Sequence, residues 1–230
     1  MPEVTQQNGV FYVVRDAAES RLDAVVRHLP HPNIITGRWR TALAAAGLAA
    51  HPFSQIASTI LYGCSGVLDW FDGMKARRNN MMTHEGERLD PLVDKIINLA
   101  YLSYLSVLNM QDPSFVAAAG ANIFADYFSQ RARGPLMPQV EEGIRATCSP
   151  ETCTPVDPAE TIRSNRAVFA GKLKVLFQTL AIGGTLAAGD DARMQTAATV
   201  TLCVSAILGI AGTIQRRRMR KRAKTPHDNL

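Results

Sequence analysis

The sequence predicts an all-α fold, a membrane bundle of six transmembrane helices with an amphipathic helix at the N-terminal side. Three observations lead to this prediction. Hydrophobic residues make up 47% of the 230 residues and charged residues only 20%, below the roughly 25% charge of ordinary soluble chains. The charges are clustered, so long stretches carry none. Basic residues gather at alternate connections between these stretches, as the positive-inside rule expects of membrane proteins.

Residues 1–35 are expected to form a cytoplasmic N-terminal region. The segment from Asp16 to Leu29 alternates apolar and charged residues at helical spacing, which is typical of an amphipathic helix. Such a helix could lie along the membrane surface or cap the first span, and the residues leave both interpretations open. No cleavable signal peptide is predicted, because the first 30 residues carry acidic groups and no apolar core.

Residues 36–218 are expected to contain the six spans. The stretches without Asp, Glu, Lys or Arg are 41–68, which His51-Pro52 divides into two, and 96–111, 113–125, 175–189 and 194–215. Most of them reach the length of one bilayer crossing only if their charged ends are helical too. Ionisable groups at membrane depth are costly and are by default functional. A polar cavity is therefore predicted near one membrane face.

The basic residues predict which face this is. The connections at 51–52, 110–113 and 189–191 have one basic residue nearby, Arg193, whereas the opposite side holds the remaining clusters, including 216–222. Both termini and every charged cluster are therefore expected in the cytoplasm. The basic tail, 219–230, is expected to bind anionic lipid headgroups. The rival interpretation is a soluble all-α domain with a nucleic-acid-binding tail. The long uncharged stretch before the arginines favours a membrane anchor and no nucleic-acid partner.

Two pairs of aspartates, Asp69 with Asp72 and Asp90 with Asp94, each share one face of a predicted helix. Four carboxylates from neighbouring helices would repel one another in a partly dehydrated site, so they need cations. Ligation by oxygen alone suits Mg²⁺, Mn²⁺ or Ca²⁺, and the absence of His and Cys argues against zinc. Two such ions about 3.5–4 Å apart could bridge a pair of phosphates.

Small residues beside the aspartates leave room for a ligand. Gly73 and Ala76 lie one turn from the acidic groups, and Gly86 is expected in the connection between the two helices. Each would let a ligand approach the backbone closely. Arg77 is expected at the cytoplasmic mouth, where it can pair with a phosphate.

The whole pattern resembles the signature of the CDP-alcohol phosphatidyltransferase superfamily. It reads Asp69-x-x-Asp72-Gly73-x-x-Ala76-Arg77, eight residues, Gly86-x-x-x-Asp90-x-x-x-Asp94, and every fixed position and the spacer length match. The resemblance implies a six-helix enzyme of the inner or plasma membrane, usually a homodimer, with its site open to the cytosol. Such enzymes cleave the pyrophosphate of a CDP-linked alcohol, transfer the substituted phosphoryl group to an acceptor hydroxyl and release CMP.

The resemblance also implies a role for each matched residue. Two divalent ions, Mg²⁺ or Mn²⁺, would be held by Asp69, Asp72, Asp90 and Asp94. Asp94 would in addition be the catalytic base on the acceptor hydroxyl. The CDP and its diphosphate would be bound by Gly73, Ala76, Arg77 and Gly86.

Flanking segments resemble bacterial phosphatidylglycerophosphate synthases. Pro32-Asn33-Ile34-Ile35-Thr36 is similar to the Pro-Asn-x-x-Thr that opens their first helix. In them an Arg commonly follows three residues after the Thr. Here that position is Trp39, between Arg38 and Arg40, and a change of register would supply the charge. Residues 171–178 are similar to their Gly-Lys-x-Lys-Thr-x-x-Gln, with Val175 in place of the Thr.

The favoured donor is CDP-diacylglycerol and the favoured acceptor is glycerol 3-phosphate. The acceptor phosphate would be bound by four basic residues, Arg131, Arg133, Lys172 and Lys174, although the lysines could instead snorkel to lipid headgroups. Residues 126–133 resemble a segment of phosphatidylinositol-phosphate synthases, with Asp126 and Ser129 in place of Ser and Lys. Inositol phosphate, serine or another alcohol remain alternative acceptors. A non-catalytic membrane protein that binds lipid or nucleotide is an alternative of a different class.

The connection 134–160 is rich in proline and is predicted to be a mobile loop that could cover the site. Cys148 and Cys153 within it lack a second cysteine pair, and in the cytosol they are expected to be reduced thiols rather than metal ligands. His84 is expected to be a solvated loop histidine.

Overall fold

The structure, a computed structural model, describes residues 29–79, 81–131, 136–155, 169–189 and 191–224. Within these residues every regular element is a helix, so the all-α prediction is confirmed. Helix α1 has three consecutive parts, an α-helical turn Pro32–Ile34, a π-helical segment Ile35–Arg40 and an α-helical segment Thr41–Ala50. The others are α2 Gln55–Arg78, α3 His84–Leu108, α4 Pro113–Arg131, α5 Leu136–Cys148, a 3₁₀ turn Pro150–Thr152, α6 Phe169–Ala188 and α7 Ala192–Lys224.

Short polar side chains begin the helices. The Ser54 hydroxyl accepts from the Ala57 amide at 3.2 Å before α2, and the Thr83 hydroxyl accepts from the Gly86 amide at 3.0 Å before α3. The Asp112 carboxylate caps α4 by accepting from the Ser114 amide at 3.0 Å. Such caps satisfy amides that have no partner within the helix. The breaks predicted near 51–52, 110–113 and 189–191 are thereby confirmed.

The core lies where α1, α3, α4, α6 and α7 meet. Its most buried large side chains are Tyr101, Leu102, Leu105, Ile182, Leu186 and Leu202. The Tyr101 hydroxyl donates to the Ala44 carbonyl at 3.0 Å, so the buried phenol is satisfied. A Cβ at Gly47 would lie 2.3 Å from that hydroxyl. Glycine is therefore required at position 47 for α1 to approach α3.

One helix among the described residues, over Ala192–Ile214, is long and apolar enough to cross a membrane by length and composition. A shorter apolar helix covers Leu173–Ala188. Large apolar side chains are also exposed along α2, α3, α4, α6 and α7, for example Ile60, Val107, Phe124, Leu180 and Ile207. Extended exposed apolar surface of this kind marks contact with lipid or with another protein.

The N-terminal prediction lies largely outside the described residues. The amphipathic helix expected from Asp16 to Leu29 is described only at Leu29. At the other end of the chain, α7 continues as far as Lys224, so the first residues of the predicted basic tail are helical. Residues 225–230 are outside the described part.

Helix α5 shows that the loop prediction for 134–160 was wrong for residues 136–148. Pro138 lies in the first turn of α5, where a missing amide proton costs no helical hydrogen bond. A Cβ at Gly143 would lie 3.1 Å from Leu89 Cδ1, so glycine lets α5 rest closely on α3. Arg88 of α3 donates to Glu142 of α5 at 2.8 Å. The segment therefore has both the packing and the ion pair of a docked helix.

Candidate active site

The four aspartates lie on two helices that the start of α1 joins. Asp69 and Asp72 are near the C-terminal end of α2, and Asp90 and Asp94 are near the N-terminal end of α3. The π-helical segment of α1 packs against both helices. Side chains on this segment can therefore reach carboxylates from either side.

Thr36 connects one aspartate of each helix. Its hydroxyl donates to the Asp72 carboxylate and lies 3.2 Å from Asp90 Oδ1. Thr36 and Asp72 are only 1% and 3% exposed. Because the hydroxyl carries one proton, it donates to one carboxylate at a time.

Arg40 connects the other two aspartates. Its Nη1 pairs with Asp69 Oδ1 and its Nη2 with Asp94 Oδ1. Arg40 is 6% exposed, and its Nε is buried with no hydrogen-bond partner among the residues that the structure describes. A buried guanidinium requires such charged partners, since an unpaired buried charge is strongly destabilising. The four aspartates are thus drawn into one site by two α1 side chains.

The π-helical segment decides which side chain enters this site. It buries Ile35, Thr36 and Arg40, while Arg38 and Trp39 are exposed, Trp39 by 46%. A π-helical turn bonds residue i to i+5 rather than i+4, so it holds one residue more than an α-helical turn. This is the change of register that the Trp at position 39 calls for, and it delivers Arg40 to the aspartates.

Gly86 lies in the first turn of α3 and not in the connection where the sequence analysis expected it. A Cβ there would lie 2.7 Å from Asn33 Oδ1 and 2.8 Å from Thr83 Oγ1. Asn33, itself buried, donates to the Thr83 hydroxyl at 3.4 Å. Gly86 therefore makes room for the contact that fixes the start of α1 against the start of α3. His84 is likewise the first residue of α3 rather than a loop residue.

The remaining predicted nucleotide-binding residues follow the aspartates on α2. Gly73 and Ala76 are both partly exposed on this helix. The backbone of Arg77 is helical, and its side chain lies outside the described part of the structure.

The predicted acceptor residues are only partly described. Arg131 is exposed at the end of α4, whereas Arg133 and the side chain of Lys172 lie outside the described part. Lys174 is buried and forms an ion pair with Asp126 of α4. Gln178 donates to the second oxygen of Asp126 at 3.1 Å. Asp126 therefore neutralises the charge of Lys174, a residue that the sequence predicts to bind the acceptor phosphate.

The oxygens of the four carboxylates and of the Thr36 hydroxyl lie close together, and oxygen ligands of this kind suit a hard divalent cation. In the described ranges, no group of three or more His, Cys, Asp or Glu side chains has the geometry to hold a metal ion. Arg40 and Thr36 lie between the carboxylates instead. Four carboxylates face one guanidinium, so the charge of the site still fits added cations.

Cys148 and Cys153 are both free thiols, as the sequence analysis expected. Burial, and then the nearby Glu85 carboxylate, raise the pKa of the Cys153 thiol. A protonated thiol is a poor metal ligand and a poor nucleophile.

Sequence reasoning did not place Thr36 or Arg40 in the site. Thr36 had a usable signal, because it closes the Pro-Asn-x-x-Thr segment. Arg40 had none, since Arg38 and Arg40 are the same residue type two positions apart and only the register of α1 separates them. Asp126 was noticed only as a departure from a related segment.

Comparison with known proteins finds one matching family model and several relatives. Residues 29–141 match the family model of the CDP-alcohol phosphatidyltransferases. The CDP-diacylglycerol–glycerol-3-phosphate 3-phosphatidyltransferase of Haemophilus influenzae is 28% identical over 162 residues, which cover 70% of this chain and 76% of that protein. The Bacillus subtilis protein of the same name is 41% identical over 54 residues, or 24% of this chain and 28% of that protein.

A relative with a different acceptor also matches. The CDP-diacylglycerol–inositol 3-phosphatidyltransferase of Candida albicans is 42% identical over 64 residues, or 28% of this chain and 26% of that protein. The chain thus spans about a quarter of the length of this relative and of the Bacillus protein. No solved structure matches.

The matched range contains all four aspartates and both α1 residues that contact them. Members of this family are membrane-associated and generally depend on a divalent metal. Residues 29–141, just under half of this chain, are thus similar to the CDP-alcohol phosphatidyltransferase family.

Proposed function

We propose that the protein transfers the phosphatidyl group of CDP-diacylglycerol to glycerol 3-phosphate, giving phosphatidylglycerophosphate and CMP. The observation that carries the proposal is the convergence of Asp69 and Asp94 on Arg40, and of Asp72 and Asp90 on Thr36. This arrangement supplies the positioning and charge that phosphoryl transfer needs. The Haemophilus and Bacillus relatives, which are named for glycerol 3-phosphate, support this acceptor.

Asp69, Asp72, Asp90 and Asp94 would hold two divalent cations, Mg²⁺ or Mn²⁺, which when bound neutralise the diphosphate of the nucleotide. Asp94 is also the proposed catalytic base. It contacts Arg40 through Oδ1, so Oδ2 is the atom that we assign to the acceptor hydroxyl proton. The side chains of Asp69 and Asp94 are 42% and 26% exposed, so a substrate can reach this side of the site.

The nucleotide is assigned to the partly exposed face of α2. Gly73 and Ala76 would let the cytidine and its diphosphate approach the helix, and Arg77 would pair with the diphosphate. Gly86 would contribute by holding α3 close to α1, in keeping with its contact distances to Asn33 and Thr83.

The acceptor phosphate is assigned to Arg131, Arg133 and Lys172, with Lys174 as a buried member of the same cluster. The Asp126–Lys174 ion pair would orient this cluster rather than bind phosphate directly. Inositol phosphate is the second candidate acceptor; the Candida relative, whose name gives unphosphorylated inositol, supports an acceptor of the inositol class.

Six membrane spans are proposed, α1, α2, α3, α4, α6 and α7. Residues 36–218 would form the membrane domain, with 1–35 and 219–230 in the cytoplasm together with the active-site end of the bundle. The basic tail would contact anionic lipid, and two copies of the chain would form a homodimer. Nucleic acid is not a proposed partner.

The test is release of CMP from CDP-diacylglycerol by the purified full chain with Mg²⁺ or Mn²⁺. Glycerol 3-phosphate, inositol phosphate and serine are supplied separately. Asp94→Asn should lower the rate by about 100-fold or more, since it removes the proposed base. Asp112→Asn is the matched control, because Asp112 caps α4 and asparagine caps a helix equally well. Release with inositol phosphate alone would transfer the proposal to that acceptor, and no release with any acceptor would contradict it.

A further inference from the structure

Arg40 joins two helices of the candidate site through one buried guanidinium. Nη1 pairs with Asp69 on α2 and Nη2 with Asp94 on α3. A guanidinium is planar and presents its donors in fixed directions. One such group therefore sets the spacing of two carboxylates in a way that a flexible ammonium group does not.

The charge balance of the site makes this contact important. Four carboxylates lie around Arg40 and Thr36, and like charges in partly dehydrated surroundings repel one another. Without a positive charge between them, Asp69 and Asp94 would push α2 and α3 apart. Arg40 supplies that charge from a position that is 6% exposed.

The π-helical segment brings this residue into place. Arg38 and Trp39 point outward while Thr36 and Arg40 contact the aspartates. One extra residue in the turn separates Thr36 from its arginine by four positions rather than three. Insertions of this type in α-helices are frequently found at functional sites.

We propose that Arg40 is a positioning residue, a resident counter-charge that holds Asp69 and Asp94 together when their cations are absent, and that the π-helical segment delivers it. The role rests on the proposed function, because the cations belong to that function. When cations are absent, Arg40 keeps the carboxylates assembled. When they are present, Arg40 and the cations share the neutralisation of the carboxylates.

The first experiment follows thermal unfolding in detergent, with and without Mg²⁺. Fluorescence of Trp39 and Trp70, the two tryptophans of the chain, reports directly on α1 and α2. Arg40→Met removes the charge and keeps the length of the side chain, and Arg38→Met does the same at an exposed position of the same segment. In chelator Arg40→Met should melt about 5 °C or more below Arg38→Met. Mg²⁺ should raise its Tm by more than it raises the Tm of the wild type.

Two further variants separate the charge of Arg40 from its packing. Arg40→Lys keeps a positive charge and should recover part of the stability in chelator. In an Asp94→Asn background the repulsion is weaker, so Arg40→Met should lower the Tm by less than it does alone. Equal Mg²⁺ shifts in Arg40→Met and the wild type would refute the role of Arg40. The role would also be refuted if Arg40→Met lowered the Tm as much in the Asp94→Asn background as it does alone.

Deleting one residue tests the role of the π-helical segment. Deletion of Trp39 shortens the turn to α-helical length and leaves an arginine three residues after Thr36, on the same helix face. Deletion of Ala45, an exposed residue in the α-helical part of α1, rotates the first part of α1 by one residue. Deletion of Trp39 should give the Mg²⁺ shift in Tm of the wild type, whereas deletion of Ala45, which turns Arg40 away from the aspartates, should give the larger shift expected of Arg40→Met. Equal Mg²⁺ shifts in the two deletions would refute delivery by the π-helical segment.

The CMP-release assay distinguishes failure of this role from failure of the proposed function. If the wild type releases CMP but Arg40→Met responds to Mg²⁺ like the wild type, only the role of Arg40 is refuted. If the wild type neither releases CMP nor responds to Mg²⁺, the proposed function fails. In that case the Tm values in chelator alone test the role of Arg40. Arg40→Met must then still melt below Arg38→Met, and equal Tm values would refute the role.

Discussion

A single hydroxyl connects the two buried aspartates of the site. Thr36 lies between Asp72 of α2 and Asp90 of α3, and hydrogen bonds to charged groups contribute about 1.5–3 kcal/mol each. The threonine therefore orients carboxylates that the proposed cations would share. Its residue type matters because a methyl group of the same size cannot donate.

Thr36→Val should lower the rate of CMP release by about 10- to 100-fold, because it removes the hydroxyl and keeps the shape of the side chain. Thr36→Ser should retain most of the rate. Thr59→Val is the matched control, since the Thr59 hydroxyl donates only to the Gln55 carbonyl of its own helix at 2.8 Å. Full activity of Thr36→Val would exclude a role for the hydroxyl.

Gly86 gives a second prediction at the residue scale. In Gly86→Ala the new Cβ would meet Asn33 Oδ1 at 2.7 Å and Thr83 Oγ1 at 2.8 Å, so both side chains must shift and the contact between the starts of α1 and α3 is disturbed. Both the Tm and the rate should fall. In Gly63→Ala nothing lies within 4 Å of the new Cβ, and alanine is about 1 kcal/mol better than glycine within a helix. A Gly86→Ala variant as stable as Gly63→Ala would show that the start of α3 accepts a side chain.

Spacing was enough to predict the aspartates, because Asp69 with Asp72, and Asp90 with Asp94, recur at intervals that any α-helix places on one face. Thr36 and Arg40 were harder to predict for a physical reason. Which α1 residues face the site depends on the π-helical segment. Trp39 indicates a change of register there, but the residue types do not decide whether Arg38 or Arg40 enters the site.

At the scale of whole elements, α4 and α6 are tied by a buried ion pair. Lys174 and Asp126 have side chains that are 8% and 13% exposed. Gln178 supports Asp126, and the Ser205 hydroxyl of α7 donates to the Lys174 carbonyl at 3.1 Å. A Cβ at Gly209 would lie 3.1 Å from Lys174 Cε, so α7 leaves room for the lysine stem.

Asp126→Asn should destabilise the protein by about 3–5 kcal/mol, because it leaves Lys174 buried without an opposite charge. The double variant Asp126→Leu with Lys174→Met should recover much of that stability, since an apolar pair of similar volume often replaces a buried ion pair without loss. Thermal unfolding of the single and double variants measures the difference. A double variant less stable than Asp126→Asn would contradict a mainly structural pair.

The ends of the elements were largely predictable, and one whole element was not. Ser54 and Asp112 begin helices where turns were expected, because short polar side chains satisfy free amides in any context. Helix α5 was missed because the prediction used the number of prolines in 134–160 and not where each proline lies relative to a possible helix. Pro138 falls in a first turn that tolerates it, and Pro150 and Pro155 come after the helix has ended.

At the scale of the whole molecule, the placement of charge argues for a bundle that crosses a membrane. The apolar helix over Ala192–Ile214 is long enough by itself to cross a membrane. The other proposed spans reach that length only when the charged ends that build the site are included. The aspartates, Arg40 and Lys174 then lie toward one membrane face. Helix α5 rests on α3 at that same end through Arg88 and Glu142.

This topology predicts that the two ends of α4 lie on opposite sides of the membrane. Gln111 is exposed in the connection before α4, and Cys148 is exposed at the end of α5, after it. An impermeant maleimide should label Cys148 in inside-out vesicles only. In a Cys148→Ser background, Gln111→Cys should be labelled in right-side-out vesicles only, because one crossing separates the positions. Cys64 and Cys203 lie within proposed spans, which an impermeant reagent does not enter, so Cys148→Ser alone provides the blank. Labelling of both positions from the same side would remove α4 as a span, and the six-span topology with it.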